Sequence, residues 1–203
     1  MSAPALAALL REIRACRVCA KHLPLGPRPV LRATAGARLL IIGQAPGAKV
    51  HETGIPWNDR SGDRLRAWLQ LEREAFYDES RIAIVPMGFC YPGVDKNGGD
   101  RPPRKECAPL WHARIMQRLP NIELTLLVGS YAQTHYLGDG CAATMTATVR
   151  GWRNHPPGFL PLPHPSWRNT GWLKRNPWFE RELLPELRKR VHDLVRAGPS
   201  AMR

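Results

Sequence analysis

The sequence predicts an α/β fold with a mostly parallel β-sheet that is covered by helices on both faces. Four short apolar runs are continuous rather than alternating, which is typical of strands buried on both faces. Segments with helical apolar spacing lie between the runs, and Gly- or Pro-containing turns follow them. Because strands alternate with helices, we expect a single three-layer α/β/α domain with a four-stranded sheet over residues 1–203. The runs are Leu39–Ile42, Ile82–Val85, Leu124–Val128 and Phe159–Leu162.

Helices are predicted before, between and after these strands. Pro4–Ala15 has Leu and Ile residues at helical spacing, Asp63–Leu71 and Glu106–Leu119 lie between strands, and Pro177–Val195 closes the chain. The segment from Cys90 to Pro103 is rich in Gly and Pro and is predicted to be a long loop. Since long loops in compact domains usually carry function, we expect this one to lie near a site.

Polar or Gly-rich turns follow the predicted strands. In open α/β sheets, ligands bind at the carboxyl ends of the strands, so these turns are expected to line one cleft. The turns are Gly43–Gly47, Pro86–Cys90, Gly129 and His164–Ser166.

The composition is that of an ordinary globular protein, with 43% hydrophobic and 23% charged residues, which excludes wholesale disorder. No apolar run approaches the roughly 18 residues that span a bilayer. The first residues lack a basic segment and run at once into Arg11 and Glu12, so no secretory signal is expected.

The formal net charge of +13 favours a polyanionic partner, because each neutralised phosphate releases a condensed counterion. Nucleic acid is the leading candidate. Binding to an anionic membrane surface would need a basic amphipathic helix or a second anchor, and the sequence shows neither clearly. No membrane partner is therefore expected. The alternative is a basic surface tuned for solubility. With DNA as partner, we expect a monomeric, cytoplasmic, nucleoid-associated protein whose DNA binding weakens steeply with salt.

Five cysteines in a chain without a secretory signal favour metal binding or redox chemistry over a disulfide framework. Cys16 and Cys19 form a C-x-x-C pair, and Cys90 and Cys107 flank the predicted long loop. Four thiolates could hold an iron–sulfur cluster or a structural zinc. Alternatively, Cys16 and Cys19 pack as small apolar residues and Cys90 merely ends a strand. Cys141 has no companion at a useful spacing and is predicted to be an incidental thiol.

Three short motifs, in their joint order and spacing, resemble the uracil-DNA glycosylase superfamily. Gly43-Gln-Ala-Pro-Gly47 resembles a first motif, although its composition is atypical. Gly54-Ile-Pro-Trp57 and Ser61-Gly62 are similar to the Gly-x-Pro-Phe and Ala-Gly continuation of that motif. His164-Pro-Ser166 resembles the second motif, which lies on a DNA-inserting loop.

The order of the cysteines resembles the bacterial and archaeal branch of that superfamily, the family 4-like branch, which carries a four-cysteine iron–sulfur cluster. This resemblance implies a [4Fe–4S] cluster with a structural role, and structural zinc is the fallback. The implied ligands are Cys16, Cys19, Cys90 and Cys107.

The resemblance also implies roles for the motif residues. A glycosylase extrudes the target base into a pocket, at a cost of a few kcal/mol, and stabilises the departing base anion. His164 would donate a hydrogen bond to a base carbonyl, Gln44 would orient a water, and Trp57 would stack on the base. Alternatively, His164 is a surface histidine before a turn. The implied base-binding residues are Gly43, Ala45, Pro46, Gly47 and Trp57.

Residues 164–175, HPSWRNTGWLKR, interleave aromatic and basic side chains. Basic groups would contact phosphates while Trp167 wedges into the gap left by the flipped base. Trp172 could share this surface, or Trp172 and Trp178 could pack the C-terminal helix against the sheet. The predicted DNA-binding residues are Ser61, Pro165, Ser166, Trp167, Arg168 and Lys174.

Two departures from the family pattern bear on mechanism and specificity. Gln44 stands where the cluster-bearing branch commonly has an acid, and it cannot accept a proton from water. Catalysis would then rest on leaving-group stabilisation, unless His51 or Glu52 substitutes. Pro86 stands where related enzymes place a base-reading Asn, so base recognition must come from backbone groups or another side chain.

The sequence therefore predicts a monofunctional DNA glycosylase that excises uracil or a related deaminated base. The missing acid at Gln44 and Ala45 motivates an alternative, a non-catalytic binder of damaged or abasic DNA on the same fold. A third hypothesis, a zinc-stabilised module that binds nucleic acid without flipping a base, requires the motif set to be coincidence.

Overall fold

The computed structural model describes residues 3–96 and 98–196. Its strands form one sheet in the order β2-β1-β3-β4, and each neighbouring pair is parallel. The three-layer α/β expectation is confirmed, and the sheet is wholly parallel, rather than mostly parallel, across the described strands. The strands are β1 (Leu39–Ile42), β2 (Ile82–Ile84), β3 (Leu124–Val128) and β4 (Phe159–Leu162).

Side chains of β1 alternate between two apolar layers, which explains why its sequence is apolar throughout. Leu39 and Ile41 pack into the layer on one face, and Leu40 and Ile42 pack into the layer on the other. All four are fully buried. A continuous apolar run is therefore what a central strand of a three-layer fold requires.

Helices cover both faces of the sheet. Helices α3 and α9 contribute to the layer behind Leu39, and α1 and α5 contribute to the layer behind Leu40. No helix of the described residues is long and apolar enough to cross a membrane. The helices are α1 (Ala3–Arg14), α2 (Ala48–Thr53), α3 (Arg60–Leu69), α4 (Arg73–Phe76), α5 (Cys107–Met116), α6 (Ser130–Leu137), α7 (Met145–Arg150), α8 (Thr170–Arg175) and α9 (Leu184–Arg196).

Several helix boundaries differ from the prediction; α5, for example, ends at Met116 rather than at Leu119. Two of the differences have local reasons. Helix α3 begins three residues before Asp63, because the side chain of Asp59 accepts a hydrogen bond from the Gly62 N–H at 2.8 Å and caps the first turn. The C-terminal helix begins as a π-helical turn over Phe179–Leu183. Pro185 has no N–H to donate to the preceding turn, which accounts for the interruption.

The short helices α2, α4, α6, α7 and α8 were not predicted, because four to eight residues are too few to display a helical period. Helix α6 has a positioning role. Its buried Gln133 donates side-chain hydrogen bonds to the carbonyls of Leu162, at 2.8 Å, and Leu127, at 3.3 Å. These bonds join the ends of β3 and β4 immediately before His164.

Candidate active site

One pocket lies at the carboxyl ends of the strands, where the sequence predicted a cleft. It encloses about 500 Å3 of space, including its open mouth. The first-motif turn, Trp57 and His164 all contribute to its wall. Its apolar lining is Val30, Ala45, Pro46, Val50, Pro56, Trp57, Ile84 and Pro86, and its other lining residues are Gly43, Gln44, Gly47, Asp59, Ser61, Asp100 and His164.

The first-motif turn is fixed to the segment that follows β2. The Met87 N–H donates to the Gly43 carbonyl and the Gly88 N–H donates to the Gln44 carbonyl, both at 2.9 Å. Gly43 also permits a close approach, since a Cβ there would lie 2.6 Å from Cζ2 of Trp57. Any other residue at this position would displace the indole from the pocket wall.

Trp57 has a left-handed backbone conformation, with φ of 56°, which is costly for a residue with a bulky side chain. A Cβ at position 62 would lie 1.7 Å from the Trp57 carbonyl oxygen, so a glycine at position 62 is needed for this conformation. The buried guanidinium of Arg66 donates to the Trp57 carbonyl at 3.2 Å, and the Tyr77 hydroxyl donates to the Pro56 carbonyl at 2.8 Å. These bonds hold the indole in place.

The ring of His164 faces the indole of Trp57, with ring centroids 5.6 Å apart and planes inclined by 37°. Within the described residues, neither ring nitrogen of His164 has a hydrogen-bond partner. Burial lowers the pKa of His164, and the carboxylate of Asp59 acts in the opposite direction. The imidazole is therefore neutral at neutral pH and can donate one N–H into the pocket.

Two carboxylates, Asp59 and Asp100, line the same pocket. Asp59 is engaged as the cap of α3. Burial raises the pKa of Asp100, and the nearby negative charges of Asp59 and Asp95 raise it further, while Arg168 lowers it. The amide of Gln44 does not carry a charge but donates to the Arg101 carbonyl at 3.4 Å.

The residues His51 and Glu52 do not reach the pocket, although they are close to the first motif in sequence. The exposed carboxylate of Glu52 pairs with Lys49 at 3.0 Å. His51 is buried beside Tyr91, at a ring-centroid distance of 6.0 Å. Neither belongs to the described lining of the pocket, so the substitution suggested from the sequence is not supported.

Pro86, at the position where the family resemblance implies a base-reading Asn, lies in the pocket wall. Its carbonyl is paired with Nε2 of His112 at 3.0 Å, and Nδ1 of His112 is paired with the Tyr136 hydroxyl at 2.7 Å. Because a carbonyl can only accept, Nε2 donates and Nδ1 accepts. Burial lowers the pKa of His112 to about 4, so this histidine is a neutral support behind the wall.

The predicted DNA-binding residues lie on the rim and beside it. Ser61 lines the pocket, Pro165 is buried and Ser166 caps the next turn by accepting the Arg168 N–H at 3.3 Å. Trp167 is 70% exposed. The guanidinium of Arg168 donates to the Gly98 carbonyl at 3.1 Å, and Lys174 is exposed.

Trp172 does not share this surface. It is buried, and its indole N–H donates to the Thr146 hydroxyl at 2.7 Å. Trp178 packs against it with ring centroids 5.8 Å apart. Of the two alternatives for Trp172, packing in the core is the one observed, because α8 turns this side chain inward.

The four predicted cysteine ligands line a second hollow, together with Val18, Leu23, Leu110 and Trp111. Burial raises the pKa of Cys90 to about 11 and that of Cys107 to about 12. The Phe89 N–H donates to Sγ of Cys107 at 3.4 Å. Over residues 3–96 and 98–196, no group of three or more His, Cys, Asp or Glu that could hold a metal ion is found. The cluster stays a prediction.

Sequence reasoning missed Asp59, Arg66, Tyr77 and Asp100. Asp59 carried a signal, since it is an N-cap residue type directly before a helix. Arg66 carried no signal in the sequence, because a charged helical residue is ordinarily exposed. Tyr77 carried no signal either. Asp100 lies within the predicted functional loop, but the loop path depends on tertiary contacts.

The motifs, the parallel sheet and the pocket at its strand ends point to one family. A sequence model of the uracil DNA glycosylase superfamily matches residues 32–188, well over half of the chain. This range includes every residue that lines the pocket except Val30. The chain belongs to the uracil-DNA glycosylase superfamily.

Proposed function

We propose that this protein is a DNA glycosylase that excises uracil, or a related deaminated base, by hydrolysing the N-glycosidic bond and leaving an abasic site. The observation that carries the proposal is the placement of His164 and Trp57 in one pocket beside the first-motif turn. A planar base in that pocket meets an aromatic face and an unpaired hydrogen-bond donor.

The base enters beside the two rings rather than between them. A sandwiched ring needs about 7 Å between its neighbours, twice an ordinary carbon–carbon contact, and the centroid distance is 5.6 Å. The base therefore stacks on the indole toward the apolar wall formed by Val30, Ile84 and Pro86. The desolvated wall strengthens hydrogen bonds made to the base edge.

His164 acts on the leaving base. As the bond to the sugar breaks, negative charge develops on the base carbonyl oxygens, and a fixed N–H donor stabilises that charge. Because burial keeps the imidazole neutral, the donor is present at neutral pH without a protonation step.

The protein surface around the pocket suits a DNA partner. Trp167 is the most exposed of the large apolar side chains in the described residues, and it follows His164 by three residues. An aromatic wedge of this kind fills the gap in a duplex from which a base has been flipped. The net charge of +13 supplies phosphate contacts.

We also propose that Cys16, Cys19, Cys90 and Cys107 hold a [4Fe–4S] cluster. The four side chains surround one hollow, and the main-chain N–H of Phe89 bonds to Sγ of Cys107. A cluster distributes its thiolates around a wider cage than a single zinc ion does. When bound, it would cross-link the N-terminal segment to the loop after β2, with no part in the reaction.

The test is incubation of purified protein with oligonucleotides that carry one uracil, followed by alkaline cleavage and electrophoresis. Strand cleavage at the uracil position supports the proposal, and an oligonucleotide with thymine at that position is the control. If no cleavage occurs but abasic DNA binds more tightly than undamaged DNA, the protein is the non-catalytic binder instead.

A further inference from the structure

We propose that Asp100 is the catalytic base of this protein: it accepts a proton from the water that attacks the sugar. This inference rests on the proposed glycosylase function and assigns the role for which the first motif has no acid. Asp100 belongs to the loop between Cys90 and Cys107 and lies far from the first motif in sequence.

Backbone hydrogen bonds within the loop between Cys90 and Cys107 place Asp100 at the pocket. An antiparallel bridge pairs Val94 with Asp100, and the Arg101 N–H donates to the Gly93 carbonyl at 2.8 Å. The carboxylate faces the first-motif turn, since Oδ2 lies 3.7 Å from the position that a Cβ on Gly47 would occupy. Asp100 and His164 thus line one pocket.

The carboxylate of Asp100 is uncommitted. Within the described residues it makes no hydrogen bond or ion pair, whereas Oδ1 of Asp59 accepts the Gly62 N–H and Oδ1 of Asp95 accepts the Gly99 N–H. Oδ2 of Asp59 also approaches the first-motif turn, 3.8 Å from the position of a Cβ on Gly47, which is why Asp59 is included in the test below. Asp100 is also exposed at the pocket mouth, where water can reach it. A general base needs this combination of access and free acceptor capacity.

Gln44 is a positioning residue in this arrangement. Its amide donates to the carbonyl of Arg101, the neighbour of Asp100. The side chain that stands where related enzymes have an acid therefore holds the segment that brings a different acid into the pocket.

The reaction balances without a further reactant. The water oxygen forms a bond to C1′ of the deoxyribose, and one water proton passes to the Asp100 carboxylate. The glycosidic C–N bond breaks, and its electron pair leaves with the base, whose anion accepts the His164 hydrogen bond and then takes a proton from solvent. Asp100 returns its proton to solvent.

The surroundings of Asp100 favour uptake of a proton by its carboxylate. Burial and the carboxylates of Asp59 and Asp95 raise the pKa of Asp100, and Arg168 lowers it. The ionised form is the active one, so the excision rate falls as the pH falls through that raised pKa. The charged and titratable groups around Asp100 are Asp59, Tyr91, Asp95, Arg101, His164 and Arg168.

The experiment compares single-turnover uracil excision by the wild type, Asp100→Asn, Asp59→Asn and the exposed control Asp139→Asn. Asp100→Asn is expected to slow excision by at least about 100-fold and to abolish the acid limb of the pH profile. Asp59→Asn should cost less, because Asn also caps helices. Asp139→Asn should match the wild type.

Unfolding midpoints and binding to abasic DNA confirm that each variant folds, and Asp100→Ser must reproduce the loss. In the Asp100→Asn background, Gln44→Ala should add no further loss, since it acts through Asp100. Wild-type rates in Asp100→Asn, or a larger loss in Asp59→Asn, overturn the inference alone. Absence of excision by the wild type overturns the proposed function as well.

Discussion

The pocket that contains His164 and the hollow lined by the four cysteines lie next to each other, but different interactions form their walls. In the pocket, backbone bonds and close contacts fix the walls, while the side chains of His164 and Asp100 have no hydrogen-bond partner in the part of the chain that the structure describes. In the hollow, the thiols project from loops and from the start of α5 among exposed apolar side chains such as Val18 and Leu110. The walls of the pocket are held together by the protein's own bonds. The four thiols of the hollow, in contrast, would be linked to one another by a bound group.

One short segment belongs to both. From Met87 to Phe89, successive N–H groups donate to Gly43, to Gln44 and to Sγ of Cys107. The hollow therefore supports the pocket through the backbone of this segment and contributes no side chain to the described pocket lining. Variants of the two sites should have separable effects, on the chemical step and on stability respectively.

The largest effect on rate is expected for His164→Ala. Loss of the donor should slow single-turnover excision by about 10²–10³-fold with DNA affinity retained, because the donor acts on charge that develops in the transition state. His135→Ala, an exposed histidine of α6, is the control. Gln44→Ala should cost less than His164→Ala. Unchanged excision in His164→Ala would exclude the mechanism.

A smaller effect is expected for Tyr77→Phe. This change removes the hydrogen bond that the hydroxyl donates to the Pro56 carbonyl, worth about 0.5–1.5 kcal/mol, together with the longer one that it accepts from Arg66 at 3.3 Å, and so loosens the indole of Trp57. Single-turnover excision should fall by about 2–10-fold. Tyr131→Phe, on the exposed face of α6, should leave the rate unchanged. Equal rates in both variants would show that the hydroxyl does not position the pocket.

For Cys107→Ser, the loss of excision per folded molecule should be smaller again, while the unfolding midpoint falls. The anaerobic wild type should be brown and contain about four iron atoms per chain, and the variant should be colourless. Cys141→Ser is the matched control. If the wild type contains stoichiometric zinc, the four cysteines form a structural zinc site and not an iron–sulfur site. If the wild type contains no metal, the proposed metal site is wrong.

The smallest effect is expected for Lys174→Ala. Loss of one phosphate contact should weaken binding to all sequences equally and reduce the slope of log K against log salt by about 1. The chemical step at saturating enzyme should not change. A change confined to uracil-containing DNA would place Lys174 in base recognition instead.

The sheet could be predicted from sequence because each strand is an unbroken apolar run between turns, as β1 shows with both faces buried. The pocket's location followed from the turns at the strand ends. Asp100 could not be predicted, since its approach depends on the Gly93–Arg101 and Gln44–Arg101 bonds. The place of Trp172 stayed open because a motif of alternating aromatic and basic residues does not show which side chains a short helix turns inward.

The backbone of Trp57 has a consequence for how damage is chosen. A left-handed tryptophan costs about 1–3 kcal/mol, and here folding bears that cost before any DNA arrives. The indole is thus already held in the pocket wall when DNA binds. Under the proposed function, we expect selection among lesions to follow the strength of the base pairing to be broken, so that a uracil opposite guanine or in a single strand is excised faster than one opposite adenine.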